Sequence, residues 1–177
     1  MKNNRRKPKE YLFVDGYNII NSWESLKEKQ KNSLEEARDT LLEILADYHH
    51  YSGIEIIVVF DAHLVKGNSG KEFNYKGIHV VFTKEHETAD HYIERTVDSL
   101  GKIKRIRVAT SDWLEQQIVL SRGGIRISAR ELEVEIFNEK RMIRRRKKIN
   151  NTRNNIYLGR LDESIIDKLD KWNKTED

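Results

Sequence analysis

The sequence contains no cysteine and only one proline. Without thiols the chain can build neither a disulfide framework nor a thiolate zinc site, and it is compatible with a reducing cytosol. The proline, Pro8, lies in an N-terminal arm, and no internal repeat or low-complexity tract occurs. Long apolar runs are lacking too. The first, Tyr11 to Val14, gives way at once to Asp15 and Gly16. That is too short for a signal-peptide core or a membrane span, so no export and no membrane partner are expected, and the cytoplasm is the expected compartment.

Several motifs are present only in part. Gly67-Asn68-Ser69-Gly70-Lys71 lacks the spacing of a phosphate-binding loop, and no dinucleotide glycine fingerprint follows the first strand-like run, which argues against a nucleoside triphosphatase. His86 and His91 stand five apart rather than four. At about 100° per helical residue the second ring turns well away from the first, so a shared zinc is not expected.

The apolar runs that do occur are short and rich in β-branched and aromatic residues: Tyr11 to Val14, Ile54 to Phe60, Ile78 to Phe82, Ile106 to Thr110 and Ile125 to Ile127. They read as buried strands of a mainly parallel sheet. Helical patterns separate most of them. Ser33 with Glu36 forms a capping box that opens a helix ending near Gly53. Its apolar stripe is Leu34, Ala37, Leu41, Leu42, Leu45 and Tyr48, which leaves Glu35, Arg38, Asp39 and Glu43 outside. Thr88 is placed to cap a helix through Leu100, Ser111 to cap one that ends at Gly123 and Gly124, and Ser128 with Glu131 to open a long one. Asn18 to Asn32 reads as a polar connection, Asp61 to Gly77 as a mobile surface loop, and Asn150 to Gly159 as irregular chain before a last amphipathic helix. The expected architecture is a three-layer α/β/α sandwich. The expected divisions are a basic flexible arm over 1–10, a domain over 11–148, and an extension with a docked helix over 149–177.

Against this frame the aspartates take on meaning. Asp15, Asp61 and Asp112 each stand at or just past the end of a strand-like run, and Asp90 opens a helix. In open α/β sheets the carboxyl edge is where ligands bind, so acids gathered there suit a hard divalent cation and a phosphate substrate. Converging carboxylates repel one another and are relieved by a cation, and oxygen-only ligands suit Mg²⁺ or Mn²⁺. Each aspartate also has a local reading, as a turn residue or as a favourable charge at a helix N-terminus. It is their joint placement that points to a metal-dependent nuclease. Asn18 lies close enough to Asp15 to reach the same pocket, though asparagine also suits a loop leaving a strand. Glu87, Glu94, Thr110 and Ser111 are secondary candidates.

Basic residues outnumber acidic ones only 33 to 29, so distribution matters more than the net charge of +4. They crowd the N-terminal arm and the stretch Lys140, Arg141, Arg144, Arg145, Arg146, Lys147 and Lys148. A polyanion held by its backbone fits this split, as does a solvated helix face. Tyr17, Trp23, Tyr75, Trp113 and Tyr157 could stack on unpaired bases, although packing in a small core is the commoner use of such residues.

Phe13-Val14-Asp15-Gly16-Tyr17-Asn18, Val59-Phe60-Asp61, Thr88-Ala89-Asp90 and Thr110-Ser111-Asp112, in that order, resemble the acidic motifs of the YacP-like NYN domains among the PIN-like nucleases. The resemblance spans most of residues 11 to 140. It implies a PIN-like sandwich, Mg²⁺ or Mn²⁺ on Asp15, Asp90 and Asp112 with Asp61 beside them, and endonucleolytic cleavage of RNA. Length and ending are also similar to the bacterial ribosome-associated endonuclease that cuts mRNA in the ribosomal A site. That likeness implies a role in mRNA decay, with mRNA and the ribosome as partners through ribosomal RNA near the A site, and leaves the oligomeric state open. Asn18, Ser111 and the basic run Arg144 to Lys148 would then hold substrate. Two other readings compete. One is a catalytically silent RNA- or ribosome-binding module. The other is an aspartate-dependent phosphatase, against which Tyr17, followed by Asn18, stands where a second aspartate is needed two residues after Asp15.

Overall fold

The structure, a computed structural model, describes residues 10–62, 70–100, 105–111 and 124–172, the last of these from 151 onward by backbone alone. Six strands form one sheet: β1 (Glu10–Asp15), β2 (Glu55–Phe60), β3 (Glu72–Tyr75), β4 (Ile78–Phe82), β5 (Arg105–Ala109) and β6 (Ile125–Ile127), in the order β3-β4-β2-β1-β5-β6. All neighbours pair in parallel except β3 with β4. The strands expected from the sequence are all present, within a residue of their expected ends.

Side-chain alternation decides the layers. Leu12 and Val14 of β1 point into one core with Ile56, Val58 and Phe60, while Phe13 points to the other with Val59 and Val81. The first core is covered by helices α1 (Gly16–Ser22), α2 (Glu24–Asn32), α3 (Leu34–Ser52) and the start of α5 (Ala129–Trp172), and the second by α4 (Ala89–Leu100). The fold is therefore the three-layer, mainly parallel α/β/α arrangement.

At the described helix starts the capping hydroxyls act as expected, although Glu36 accepts from Lys29 Nζ at 3.0 Å rather than closing the box on the Ser33 N–H. Ser33 Oγ accepts from Glu36 N at 3.2 Å, and Ser128 and Glu131 satisfy one another reciprocally, at 2.7 and 3.2 Å. Thr88 Oγ1 accepts from His91 N at 3.3 Å at the head of α4. Along α3, Ala37, Leu41, Leu42, Leu45, Ala46 and Tyr48 are buried. Each buried leucine stabilises the fold by about 1.5–3 kcal/mol.

Three expectations are corrected. The polar connection over Asn18 to Asn32 is instead two short helices, because Ile19, Ile20, Trp23 and Leu26 recur at helical spacing and are all buried, and Trp23 Nε1 donates to Ala129 O at 2.8 Å. The Asp61 to Gly77 loop contains β3, joined to β4 by a two-residue turn in which both Lys76 and Gly77 have positive φ (47° and 95°), the geometry that matches strand twist. The Asn150 to Gly159 stretch continues α5 without a break, since a lone glycine costs a helix only about 1 kcal/mol and no proline is present to stop it. The chain divides into two compact units, 1–137 and 138–177. The first holds the sheet and both cores. The second is, in its described part, the continuation of α5.

Candidate active site

The sequence places Asp15 as the last residue of β1, the strand flanked by β2 on one side and β5 on the other. From β1 the chain proceeds through α1–α3 to β2 on one face, and after β4 it returns through α4 on the other face to β5. Connections therefore diverge at β1, and the crevice at the strand ends there is where such sheets bind ligands.

Asp15 also caps α1, its Oδ1 accepting from Asn18 N at 3.1 Å. Gly16 follows because nothing larger fits: a Cβ there would lie 2.2 Å from Phe60 Cε1. Asp61 stands directly after β2, and its Oδ1 accepts from Ala89 N at 2.8 Å, tying the end of β2 to the head of α4. Asp90 occupies the first turn of α4 and is exposed. These three acids are brought together electrostatically. Burial first, and then the charges of Asp90 and Asp61, push the Asp15 carboxyl up to about 7, against the hydrogen bonds from Asn18 and Tyr17 that favour its ionised form.

Across the crevice, Asn18 Oδ1 accepts from Ser111 N at 2.7 Å, and the hydroxyls of Ser22 and Ser111 lie 3.2 Å apart. The Asn18 carbonyl is thus engaged, and its amide NH₂ is the group left to donate. Thr110 is fully buried, its N–H bonded to Ile127 O, so it secures β5 to β6 rather than facing substrate. Glu87, half-buried, is paired with Arg95 at 2.7 Å, and Glu94 is half-buried on α4. Asp112 and Trp113 lie outside the described residues. Arg144, Arg145, Arg146, Lys147 and Lys148 are exposed on α5 in the second unit.

Among the described residues the aromatic candidates serve packing, and the Tyr157 side chain, like Trp113, lies outside them. Tyr17 is buried edge-on against Phe60 with ring centres 5.0 Å apart, Trp23 is buried, and Tyr75 bonds Glu43 at 2.5 Å. What sequence reasoning missed is Arg38. Its place on α3 assigned it to the solvent side, yet it is half-buried, donates to the Tyr17 hydroxyl at 3.1 Å and lies over the Phe82 ring at 5.9 Å. Helical periodicity alone sends a charged residue outward, and only the tertiary position of Tyr17 reveals the inward turn.

The donor set is one of hard oxygens, which suits Mg²⁺ or Mn²⁺ and not a thiophilic metal. Among the described residues no three His, Cys, Asp or Glu side chains form a ready-made metal cluster. The raised Asp15 carboxyl, beside two further carboxylates, is nevertheless the electrostatic condition that a divalent cation relieves. Among the described residues no helix is long and apolar enough to cross a membrane.

Comparison with known proteins agrees with this geometry. Residues 12–174 match the YacP-like NYN domain. The chain is 46% identical over 166 residues to the protein YacP of Bacillus subtilis strain 168, covering 92% of this chain and 96% of that one. Among solved structures, the crystal structure of Rae1 (YacP) from B. subtilis superposes with a TM-score of 0.69 at 43% identity, covering 94% of this chain and 95% of the other. A single-substitution mutant of that protein gives a TM-score of 0.70 at 44% identity over 80% and 84% of the two chains.

Proposed function

The chain belongs to the YacP-like NYN domain family, and on that premise we propose that it is a metal-dependent endoribonuclease that cleaves mRNA on the ribosome. The observation that carries this reading is the Asp15 carboxyl at the strand-end crevice, raised by burial and by Asp90 and Asp61 around it. Family membership supports the nuclease. The ribosome, mRNA decay and a cytoplasmic setting are the finer parts of the proposal, and the exposed basic run on α5 supplies charge for RNA.

Asp15, Asp90 and Asp112 would hold Mg²⁺ or Mn²⁺, with Asp61 beside them. When bound, the ion would neutralise the carboxylates, polarise the scissile phosphate and supply an activated water. The protein's own contribution is positional. Asp61 fixes the head of α4, and so Asp90, through its bond to Ala89 N. Asn18 bridges α1 to the end of β5 through Ser111, which aims its amide NH₂ as a donor for a phosphate oxygen or a ribose hydroxyl. Arg144 to Lys148 would hold backbone phosphates without reading sequence, which leaves the site of cutting to be set by how the ribosome presents the message.

The test is 5′-end mapping of a translated mRNA incubated with ribosomes, Mg²⁺ and either the native protein or Asp15→Asn. Discrete cuts with the native protein alone support the nuclease and its acidic edge, and their loss when translation is blocked supports the ribosome. Intact message with both proteins, while both bind ribosomes, turns the reading to a silent binding module.

A further inference from the structure

Arg38 stands out because no carboxylate among the described residues pairs with it directly. Buried guanidinium groups are normally paired with carboxylates. Arg38 is half-buried, yet its contacts among the described residues are the Tyr17 hydroxyl and the Phe82 ring, both neutral. One of its five N–H donors is engaged by Tyr17. The platform beneath it is stiff: Tyr17 packs on Phe60, Phe60 stacks on Phe82 at 5.4 Å, and Phe82 stacks on Phe73 at 6.4 Å. Phe60 and Phe82 are the last residues of β2 and β4, so this row lies along the same strand ends as Asp15 and Asp61. The Tyr17 hydroxyl links the two regions, since it feels the positive charge of Arg38 and the negative charge of Asp61.

A planar, permanently charged fork held on an aromatic shelf beside an acidic centre is suited to one class of ligand, an oxyanion offering paired oxygens. We propose that Arg38 is a phosphate-binding residue of this edge, taking non-bridging oxygens of an RNA backbone phosphate so that the strand lies across the acids. The proposal rests on the nuclease reading for its substrate, and it adds a cationic contact on α3, in the same folded unit as Asp15 and separate from the basic run of α5. Tyr17 is a positioning residue that keeps the guanidinium turned inward.

The experiment is fluorescence anisotropy of a short oligoribonucleotide, and of its neutral methylphosphonate counterpart, with chelator present and over a series of salt concentrations. It compares native protein, Arg38→Gln, Arg38→Lys and Tyr17→Phe, with thermal melting of each and cleavage in Mg²⁺ as a parallel readout. The expected result is a loss of RNA affinity of about tenfold for Arg38→Gln, with the slope of log affinity against log salt shallower by about one. Arg38→Lys should recover part of the loss, Tyr17→Phe should show a smaller one, and the neutral oligonucleotide should not distinguish the proteins. Unchanged affinity and salt slope in Arg38→Gln would overturn the proposal and make Arg38 a packing residue. If the native protein fails to cleave yet the Arg38-dependent, phosphate-dependent binding persists, the nuclease reading falls and the phosphate site stands. Should Arg38→Gln not fold, Tyr17→Phe decides, because equal affinity and slope there overturn the inward-held guanidinium.

Discussion

Two partly buried carboxylates in this protein answer burial in opposite ways. Glu135, on α5, is pushed up by burial, yet its carboxyl ends below its ordinary range because Arg107 donates to both oxygens, at 2.9 and 2.5 Å, and the Tyr48 hydroxyl donates as well. Arg107 also pairs with Glu10 at 3.3 Å, so β1, α3, β5 and α5 meet in one network around a shared guanidinium. Asp15 is pushed up by burial and has further carboxylates rather than a cation acting on it. One cluster closes on itself and serves the fold. The other gathers like charges around Asp15, which is how the proposed cation site would differ from a structural ion pair.

The largest expected effect tests the open cluster. Asp15→Asn should lower cleavage in Mg²⁺ by roughly a hundredfold or more, the scale of losing one group that acts on the reacting phosphate, and single-turnover kinetics on ribosome-presented mRNA would measure it. A residue that merely capped α1 would tolerate the change, since asparagine caps as well as aspartate. For the closed cluster, Glu135→Gln should cost about 2–3 kcal/mol by urea denaturation, because it leaves the Arg107 guanidinium, whose side chain is only 13% exposed, with the longer contact to Glu10 as its one remaining carboxylate pair. If the two variants exchanged phenotypes, the distinction between the clusters would fail.

A smaller effect separates them by pH. A carboxyl whose folded value is raised stabilises the fold fully below its unfolded value of 3.8 and loses that contribution as pH rises towards about 7. Metal-free native protein should therefore gain about 2–3 kcal/mol relative to Asp15→Asn between pH 8 and pH 5. Glu135 has the other sign: its contribution is present above the unfolded value of 4.5 and is lost as pH falls through its lower folded value. Melting curves of the two variants against pH should accordingly part from the native curve on opposite limbs. Smallest of all, Tyr48→Phe should cost about 1 kcal/mol, the net worth of one hydrogen bond in a network that keeps its guanidinium.

The same comparison shows what the sequence makes legible. Asp15, Asp61 and Asp90 could be read because strands and caps are local signals, and the ends of strands define an edge before any packing is known. The Ser33 cap and the Ser128 capping box are legible for the same reason. Arg107 with Glu135, and Arg38 with Tyr17, were not, because each pair joins residues far apart in the chain, and a charged side chain on a helix or strand is assigned outward by periodicity. The β3–β4 turn escaped because Lys76 takes a left-handed conformation that its residue type does not advertise. Helices α1 and α2 were hidden by polar residues around four well-spaced apolar ones.

The contact between Gly16 and Phe60 carries one more consequence. With the ring of Phe60 filling the space of the missing side chain, the backbone beside Asp15 is locked to the end of β2, and so to Asp61 one residue further on. The spacing of the two acids is therefore inherited from a close-packed contact between Gly16 and Phe60. In evolutionary terms the pair can drift only together: a lineage that enlarges position 16 must shrink position 60 in the same step, and the two sites should change as one character.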